Sequence, residues 1–421
     1  MKKTKYLIIG AGISGLTFAS YAKEDYIIIE KDNRPGGFCK TTRKGDYVWD
    51  YAGHFFHFKT EEFKEKFINS LDKDEFVTQD KKTYIYYKNK LIDYPFQMNI
   101  HELEKEEFID CLYDLFNKEE KNSYDNFLDM LYGKFGKSIT EKFLKPYNEK
   151  LYAIDLTKLD KDAMGRFFPY ADKEAIIKNM KKMENSSYNS SFLYPKKGAE
   201  TIIDILLKDI DSNRILLNTK VTSIDEKNKV AILDNGEKIE YQYLINTIPF
   251  NTFLTLFDSE KLNAFSKELS YNKVLVFNLG FDKKSKFNKE HWLYIPDKSI
   301  NFYRVGFYDN ILNADKLSMY IEIGYSKNQN VNDIDKQLEL TLQNLNKMGI
   351  IDDSFNLVDY ESIVMDPAYV HINSEHEKEI KDIKNKLEKD NIFTIGRYGG
   401  WTYCSMEDCM LESKNLYNEI K

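Results

Sequence analysis

The chain opens with a change of hydrophobic period. An unbroken apolar run, Tyr6-Leu7-Ile8-Ile9, meets Gly10-Ala11-Gly12-Ile13-Ser14-Gly15 and gives way to helical spacing from Leu16 to Ala22. A second apolar run, Tyr26-Ile27-Ile28-Ile29, ends on Glu30. Continuous rather than alternating runs predict strands covered on both faces, as in a parallel sheet, so the pattern predicts a βαβ unit. Arg43 to Tyr51 predicts a hairpin turning at Lys44-Gly45-Asp46. Thr83 to Lys88 alternates as a strand and turns at Lys88-Asn89-Lys90 into Leu91-Ile92-Asp93-Tyr94-Pro95-Phe96.

From Ile100 to about Met183 the apolar residues recur at helical spacing, with Leu103, Phe108, Cys111, Leu112 and Leu115, then Phe127, Leu128 and Leu131. Glu184 to Ser191 is a polar loop. Strand character returns at Phe192–Pro195, followed by a helix through Leu207. Ile215 to Ile224, Val230 to Leu233 and Ile239 to Tyr241 then read as short strands, with Asp234-Asn235-Gly236 as a hairpin turn. Tyr243 to Pro249 is a buried strand that returns the chain to the first sheet. Val274–Phe281, Trp292–Ile295, Phe302–Phe307 and Ser318–Ile323 predict an antiparallel sheet, and Asn332–Met348 an amphipathic helix. A last strand, Ile392–Ile395, runs into Gly396-Arg397-Tyr398-Gly399-Gly400 and a final helix near Met406, a second helix start able to face an anion. The expected fold is α/β: a Rossmann-like dinucleotide-binding domain with an inserted helical domain and an antiparallel β-sheet domain. The expected boundaries are 1–95, 100–190 with a lid around 153–170, 192–250, 255–345 and 346–421.

The glycines carry the first chemistry. Gly10 permits the tight turn, Gly12 lets a pyrophosphate approach the backbone, and Gly15 lets the helix pack close to the strand. Glu30, at the end of the second strand, can accept hydrogen bonds from a ribose. A further pair, Gly36 and Gly37, follows Pro35, which fits an FAD enzyme of the amine-oxidase type or an ordinary turn. His54 and His57, three apart in Gly53-His54-Phe55-Phe56-His57-Phe58, lack the partners a zinc ion needs and fit an aromatic core equally well.

Composition narrows the partners. The 421 residues carry a net charge of −7 with acids and bases interspersed, which argues against a nucleic-acid-binding surface. No apolar run reaches membrane-spanning length. The first strand begins within five residues, leaving no room for a signal peptide. Cys39 and Cys111 are isolated, while Cys404 and Cys409 are five apart with no zinc spacing. A cytoplasmic protein with reduced thiols is expected.

Taken in order, the glycine loop, Pro35-Gly36-Gly37, Gly53-His54-Phe55-Phe56-His57, Lys90-Leu91-Ile92-Asp93-Tyr94-Pro95-Phe96-Gln97-Met98-Asn99 and Gly396-Arg397-Tyr398-Gly399-Gly400-Trp401-Thr402-Tyr403-Cys404-Ser405-Met406 resemble the UDP-galactopyranose mutase family over most of the chain. Phe135 to Tyr152 and Asn301-Phe302-Tyr303-Arg304-Val305 resemble its eukaryotic branch. The resemblance implies a pyranose–furanose isomerase for a UDP-linked sugar, working through an adduct between N5 of reduced FAD and the sugar. It implies a cellular flavin reductant, a role in surface-polysaccharide synthesis, and leaves a homo-oligomer open.

The resemblance also implies roles by position. Gly10, Gly12, Gly15, Glu30, Gly36, Gly37, Val221, Arg397 and Met406 would hold FAD, with Val221 at adenine, Arg397 at phosphate or ribitol, and His54 near the isoalloxazine. Arg166 and Arg304 would grip the diphosphate in guanidinium forks. Tyr369 and Tyr403 would touch the diphosphate, and Phe143 and Tyr147 the uracil. Read from the residues alone, Arg304 also fits a structural ion pair, Arg166 a surface residue, and Phe143 with Tyr147 ordinary core packing. The chain departs from the family at Tyr152, where tryptophan is expected, at Cys404-Ser405, where Tyr-Asp is expected, and at His371, where a proline-containing stretch is expected. An oxidase of the amine-oxidase or protoporphyrinogen-oxidase type shares the FAD motifs and is the alternative reading. A third reading is a nucleotide-sugar-binding protein without catalysis.

Overall fold

The computed structural model describes residues 1–23, 25–119, 121–181 and 191–421. The predicted Glu184–Ser191 loop lies outside the described residues except for its last member. Two seven-stranded sheets organise the rest.

The first sheet is built on Lys2–Ile9, which pairs in parallel with Tyr26–Ile29 on one side and Lys238–Asn246 on the other. Its apolar run is continuous because both faces are covered. Tyr6 and Ile8 enter a core with Leu16, Phe18, Met410 and Leu416. Leu7 and Ile9 enter a second core with Leu244, Phe250, Phe253 and Leu254. Burying such side chains is worth ~1.5–3 kcal/mol each. Ile215–Leu216 extends the sheet beyond Tyr26–Ile29, and Ile392–Thr394 pairs in parallel with the end of Lys238–Asn246. Ile239–Tyr241 and Tyr243–Pro249, predicted as two strands, form one, Lys238–Asn246. Its first half pairs antiparallel with Val230–Leu233, while Ile239–Tyr241 and Tyr243–Asn246 pair with Lys2–Ile9 in one register, so Gln242 is skipped by the pairing without shifting it.

The second sheet runs Leu357–Met365, Asn272–Phe281, Ser318–Ser326, Arg304–Phe307, Trp292–Tyr294, Thr83–Tyr87, Lys90–Asp93. It is not wholly antiparallel: Trp292–Tyr294 and Thr83–Tyr87 run parallel. These strands come from distant parts of the chain, so no hairpin fixes their direction. One face packs on the helix Ile334–Lys347 through Phe277, Leu279, Leu338 and Leu345. The other packs on Trp49, Tyr194 and Tyr308.

Between the early strands lie the helices Lys105–Asn117, Phe127–Ile139 and Lys145–Tyr152, the last two joined by the wider turn Thr140–Leu144. Gly136 sits at φ +77 where the helices meet, and a Cβ there would stand 2.6 Å from the Asp114 carbonyl oxygen. Tyr303 joins the core beneath this layer, which ties the helices to the second sheet.

Candidate functional site

At the carboxyl ends of Lys2–Ile9 and Tyr26–Ile29 the chain makes the predicted glycine turn. Gly10 has φ +101, a region that glycine enters freely. A Cβ on Gly15 would stand 2.1 Å from the Gly10 carbonyl oxygen, so the helix Ile13–Ala22 needs glycine there to sit against the strand. The Gly36 N–H donates to the Ala11 carbonyl at 2.8 Å, which clasps the second glycine pair to the first. Glu30 accepts from the Ala11 N–H at 2.7 Å and from the Asp32 N–H at 2.9 Å, so its carboxylate is fixed at the turn.

These groups edge a cavity of about 560 Å³, whose lining includes Gly10, Gly12, Gly36, Gly37, Glu30 and Val221. His54, Arg397 and Met406 line it too. A Cβ on Gly12 would meet only the Gly37 Cα, at 3.9 Å, so the groove between the two loops is open. A cavity lined by glycines of two loops, a carboxylate and an arginine fits FAD. His54 Nδ1 lies 3.1 Å from the Ala52 carbonyl oxygen, and burial pushes its pKa down to about 4, so the imidazole is neutral.

A second cavity of about 680 Å³ meets the first along a shared wall that includes Gly53, Phe55, Arg304, Tyr369, Tyr403, Ser405 and Met406. Arg304 is the first residue of Arg304–Phe307 rather than mid-strand as predicted. Backbone bonding to both neighbours reaches back only to Tyr303, and the Phe302 carbonyl accepts instead from Lys150 Nζ at 2.5 Å. Arg304 Nη2 donates to Glu322 Oε2 at 2.6 Å and to the Tyr369 hydroxyl at 3.3 Å. Its Nε is buried without a partner among the described residues. Desolvation opposes its charge, but Glu322 and the surrounding tyrosines more than offset this and hold its pKa above the ordinary arginine value. Tyr369 and Tyr403 stack with ring centres 5.9 Å apart, and the Arg397 guanidinium lies 5.2 and 4.6 Å from those rings.

Across the cavity, Arg166 stands in the short turn Gly165–Phe167 and pairs with Asp408 in the helix Met406–Ile420. Asp408 also accepts from the Ser405 N–H at 2.8 Å and hydroxyl at 2.7 Å. Burial alone would raise the Asp408 pKa; Ser405 and Arg166 hold it below the usual carboxylate range.

Not every expected residue reaches a cavity. Tyr147 lines the larger one, but Phe143 is stacked between Phe96 and Tyr147, at 5.1 and 5.2 Å, and packs in the core. Tyr152 is buried behind Tyr369, edge-on at 6.1 Å. Gly15 acts through packing alone. His57 lines the larger cavity while His54 lines the other, and no cluster of three His, Cys, Asp or Glu able to hold a metal occurs among the described residues. Sequence reasoning missed Glu322, although an acid within the apolar strand Met319-Tyr320-Ile321-Glu322-Ile323 signals a buried partner. It also missed Asp408, which the spacing from Ser405 marks as a helix-capping residue but not as the partner of Arg166.

The fold and the glycine-lined cavity are those of an FAD-dependent flavoprotein, with a second cavity against the first. The chain belongs to the flavin containing amine oxidoreductase family, whose model matches residues 13–415. It is 27% identical over 326 residues to coproporphyrinogen III oxidase of Staphylococcus aureus, covering 66% of this chain and 67% of that protein. It is 24% identical over 336 residues to protoporphyrinogen oxidase of Dictyostelium discoideum, covering 68% of this chain and 60% of that one. Among solved structures it superposes on reduced UDP-galactopyranose mutase with a TM-score of 0.92 at 21% identity, covering 100% of this chain and 94% of that one. No helix among the described residues is long and apolar enough to cross a membrane.

Proposed function

We propose that the protein interconverts the pyranose and furanose forms of a nucleotide-linked sugar, with UDP-galactose or a close relative as substrate. The observation that carries this reading is Arg304: a mostly buried guanidinium in the wall between the two cavities, whose hydrogen bonds among the described residues run through Nη2, with the tyrosines Tyr369 and Tyr403 beside it. That donor set suits a diphosphate, which offers oxygens on several sides. The likeness to the mutase fold over the full chain is consistent with it.

In this reading Gly12, Gly37, Glu30, Val221, Arg397 and Met406 hold FAD, which when reduced supplies a nucleophilic nitrogen toward the anomeric carbon. Arg304, Tyr369 and Tyr403 hold the diphosphate in place before and after it leaves the sugar, so that it returns to the same carbon. Tyr147 borders the nucleoside end. Arg166 releases Asp408 and turns to the diphosphate, which adds a second cation and narrows the mouth of the cavity. The phenols of Tyr147 and Tyr94 have pKa values well above the ordinary value through burial, so they act as donors and not as bases. Neutral His54 borders the flavin ring without adding charge.

The test is anaerobic incubation with UDP-galactofuranose, with and without dithionite, resolved by chromatography. Conversion to UDP-galactopyranose only with reductant supports the reading, and absence of conversion across a panel of UDP-sugars rejects it. A second reading, oxidation of a porphyrinogen, is favoured by the two porphyrinogen oxidases to which the chain is similar in sequence. It predicts oxygen consumption with coproporphyrinogen, which the sugar reading does not.

A further inference from the structure

The sulfurs of Cys404 and Cys409 are 3.5 Å apart. Cys404 lies in the loop before Ser405, the cap of the helix Met406–Ile420, and Cys409 lies near the start of that helix. Both side chains line the flavin cavity, next to Met406 in the wall shared with the larger cavity. Cys409 is buried, and Cys404 is half-buried. The other two thiols stand apart: Cys39 contacts the Met406 sulfur at 3.7 Å, and Cys111 packs in the helical core. The residues at 404 and 405 are also where this chain departs from the Tyr-Asp expected from the mutase pattern.

We propose that Cys404 and Cys409 form a redox-active dithiol that passes two electrons to the FAD bound in the same cavity. Each thiol gives up its proton, and the two sulfurs join in one S–S bond. The two electrons and two protons go to oxidised FAD, which becomes fully reduced. A dithiol from outside, a small molecule or a protein of that class, then attacks the half-buried Cys404 sulfur and restores the pair by exchange, leaving as its own disulfide.

The geometry asks for little movement. A disulfide bond is about 2.05 Å long, so the sulfurs must close by roughly 1.5 Å, and Cys404 sits in a loop. The Cys409 thiol is held below its ordinary pKa by the hydrogen bond with Cys404, then by the Arg397 backbone and the Ser14 side chain, working against burial. The proposal rests on FAD in the cavity and not on the identity of the substrate. It supplies the reduced flavin that the sugar reading needs.

The experiment uses purified FAD-loaded protein under anaerobic conditions, with dithiothreitol as the dithiol and the visible absorbance of oxidised flavin as the readout. Wild type is expected to bleach, while Cys404→Ser and Cys409→Ser lose that dithiol-driven bleaching and still bleach with dithionite. In parallel, aerobically purified holoprotein is unfolded in iodoacetamide and mapped by mass spectrometry. The peptide holding both cysteines is expected two hydrogens lighter and unalkylated. Equal bleaching of wild type and variants by dithiothreitol, no bleaching of either, or full alkylation of both cysteines overturns the proposal. None of these outcomes touches the sugar assay, so the two readings fail separately.

Discussion

Arg304 and Glu322 stand directly opposite each other in the register of two neighbouring antiparallel strands, and their side chains meet at 2.6 Å. Glu322 is 1% exposed, and its Oε2 also takes the Tyr303 hydroxyl at 2.5 Å. The pair is incomplete on both sides, since Arg304 Nε and Glu322 Oε1 have no partner among the described residues. Glu322 therefore fixes the guanidinium through Nη2, with Nε shut away from solvent, while Arg304 still lines both cavities. The ion-pair and ligand readings of Arg304 are compatible, because one holds the side chain where the other needs it.

This arrangement separates two variants. Arg304→Lys keeps a charge against Glu322 but loses the planar fork. It is expected to retain FAD and to lose about 100-fold in kcat/KM for the nucleotide sugar, the scale of a misplaced reacting group. Arg304→Ala also abandons a buried carboxylate, which costs about 3–5 kcal/mol where one partner of a buried pair is removed. Thermal melts of the two variants, beside steady-state kinetics on the flavin-loaded fractions, check both parts. Wild-type kinetics in Arg304→Lys would remove the diphosphate role.

The two central glycines are expected to fail in different ways. Gly12 has room for a side chain as far as the protein is concerned, since a Cβ meets only the Gly37 Cα at 3.9 Å. Gly12→Val is thus expected to fold and to purify colourless, because the valine occupies the path of the pyrophosphate. In Gly15→Ala the new methyl stands 2.1 Å from a backbone oxygen. That variant is expected to lose thermal stability even without cofactor. Flavin content by absorbance and melting of the apo forms distinguish the two, and a yellow Gly12→Val protein would contradict the cofactor assignment.

Arg166 is 43% exposed and Asp408 26%, so their ion pair contributes at most about 1 kcal/mol to stability. Its expected effect is on binding. A hydrogen bond to a charged group is worth roughly 1.5–3 kcal/mol. Arg166→Ala is expected to raise KM for the nucleotide sugar about 10- to 100-fold, with the melting temperature little changed. The salt dependence of KM should weaken in the same variant, because one exposed cation has gone. An unchanged KM would leave Arg166 as a surface residue.

What the sequence disclosed depended on distance along the chain. The βαβ unit and its glycines were legible because strand, turn and helix lie within thirty residues and each glycine has a local geometric reason. Arg304 could be picked out, but its partner could not, since Glu322 is fixed by strand register. Asp408 lies 242 residues from Arg166 and meets it only through the fold. The aromatic pair misled for a different reason. Phe143 and Tyr147 do share a helical face, but Phe96 arrives from another segment and takes Phe143 into the core. The sequence suggests two strands at Gln242 where there is one, because a single polar residue breaks the hydrophobic pattern, and the pairing that skips it, without shifting the register. The parallel pairing of Trp292–Tyr294 with Thr83–Tyr87 has no sequence signature, as its strands are about 200 residues apart.

His371, one of the positions where the chain departs from the mutase pattern, makes a prediction about acid stability. Its Nε2 lies 2.9 Å from the Tyr152 carbonyl oxygen, to which it donates, and its Nδ1 accepts from the Ser270 hydroxyl at 2.7 Å. Both contacts suit the neutral ring. Burial pushes its pKa down to about 4, against an ordinary value of 6.5. Between those values the unfolded chain binds a proton that the folded chain does not, so stability falls as pH drops from 6.5 to about 4. Other buried groups titrate in the same range: Asp50, raised to about 6, works in the opposite direction. The difference between wild type and His371→Gln isolates the one residue. Glutamine can keep both hydrogen bonds and does not titrate. The stability of wild type relative to His371→Gln, measured by urea unfolding, is expected to be constant above pH 7 and to decline steadily below 6.5. A difference that stays flat to pH 4 would mean that the folded protein accommodates the protonated ring, with Ser270 turning to accept from Nδ1.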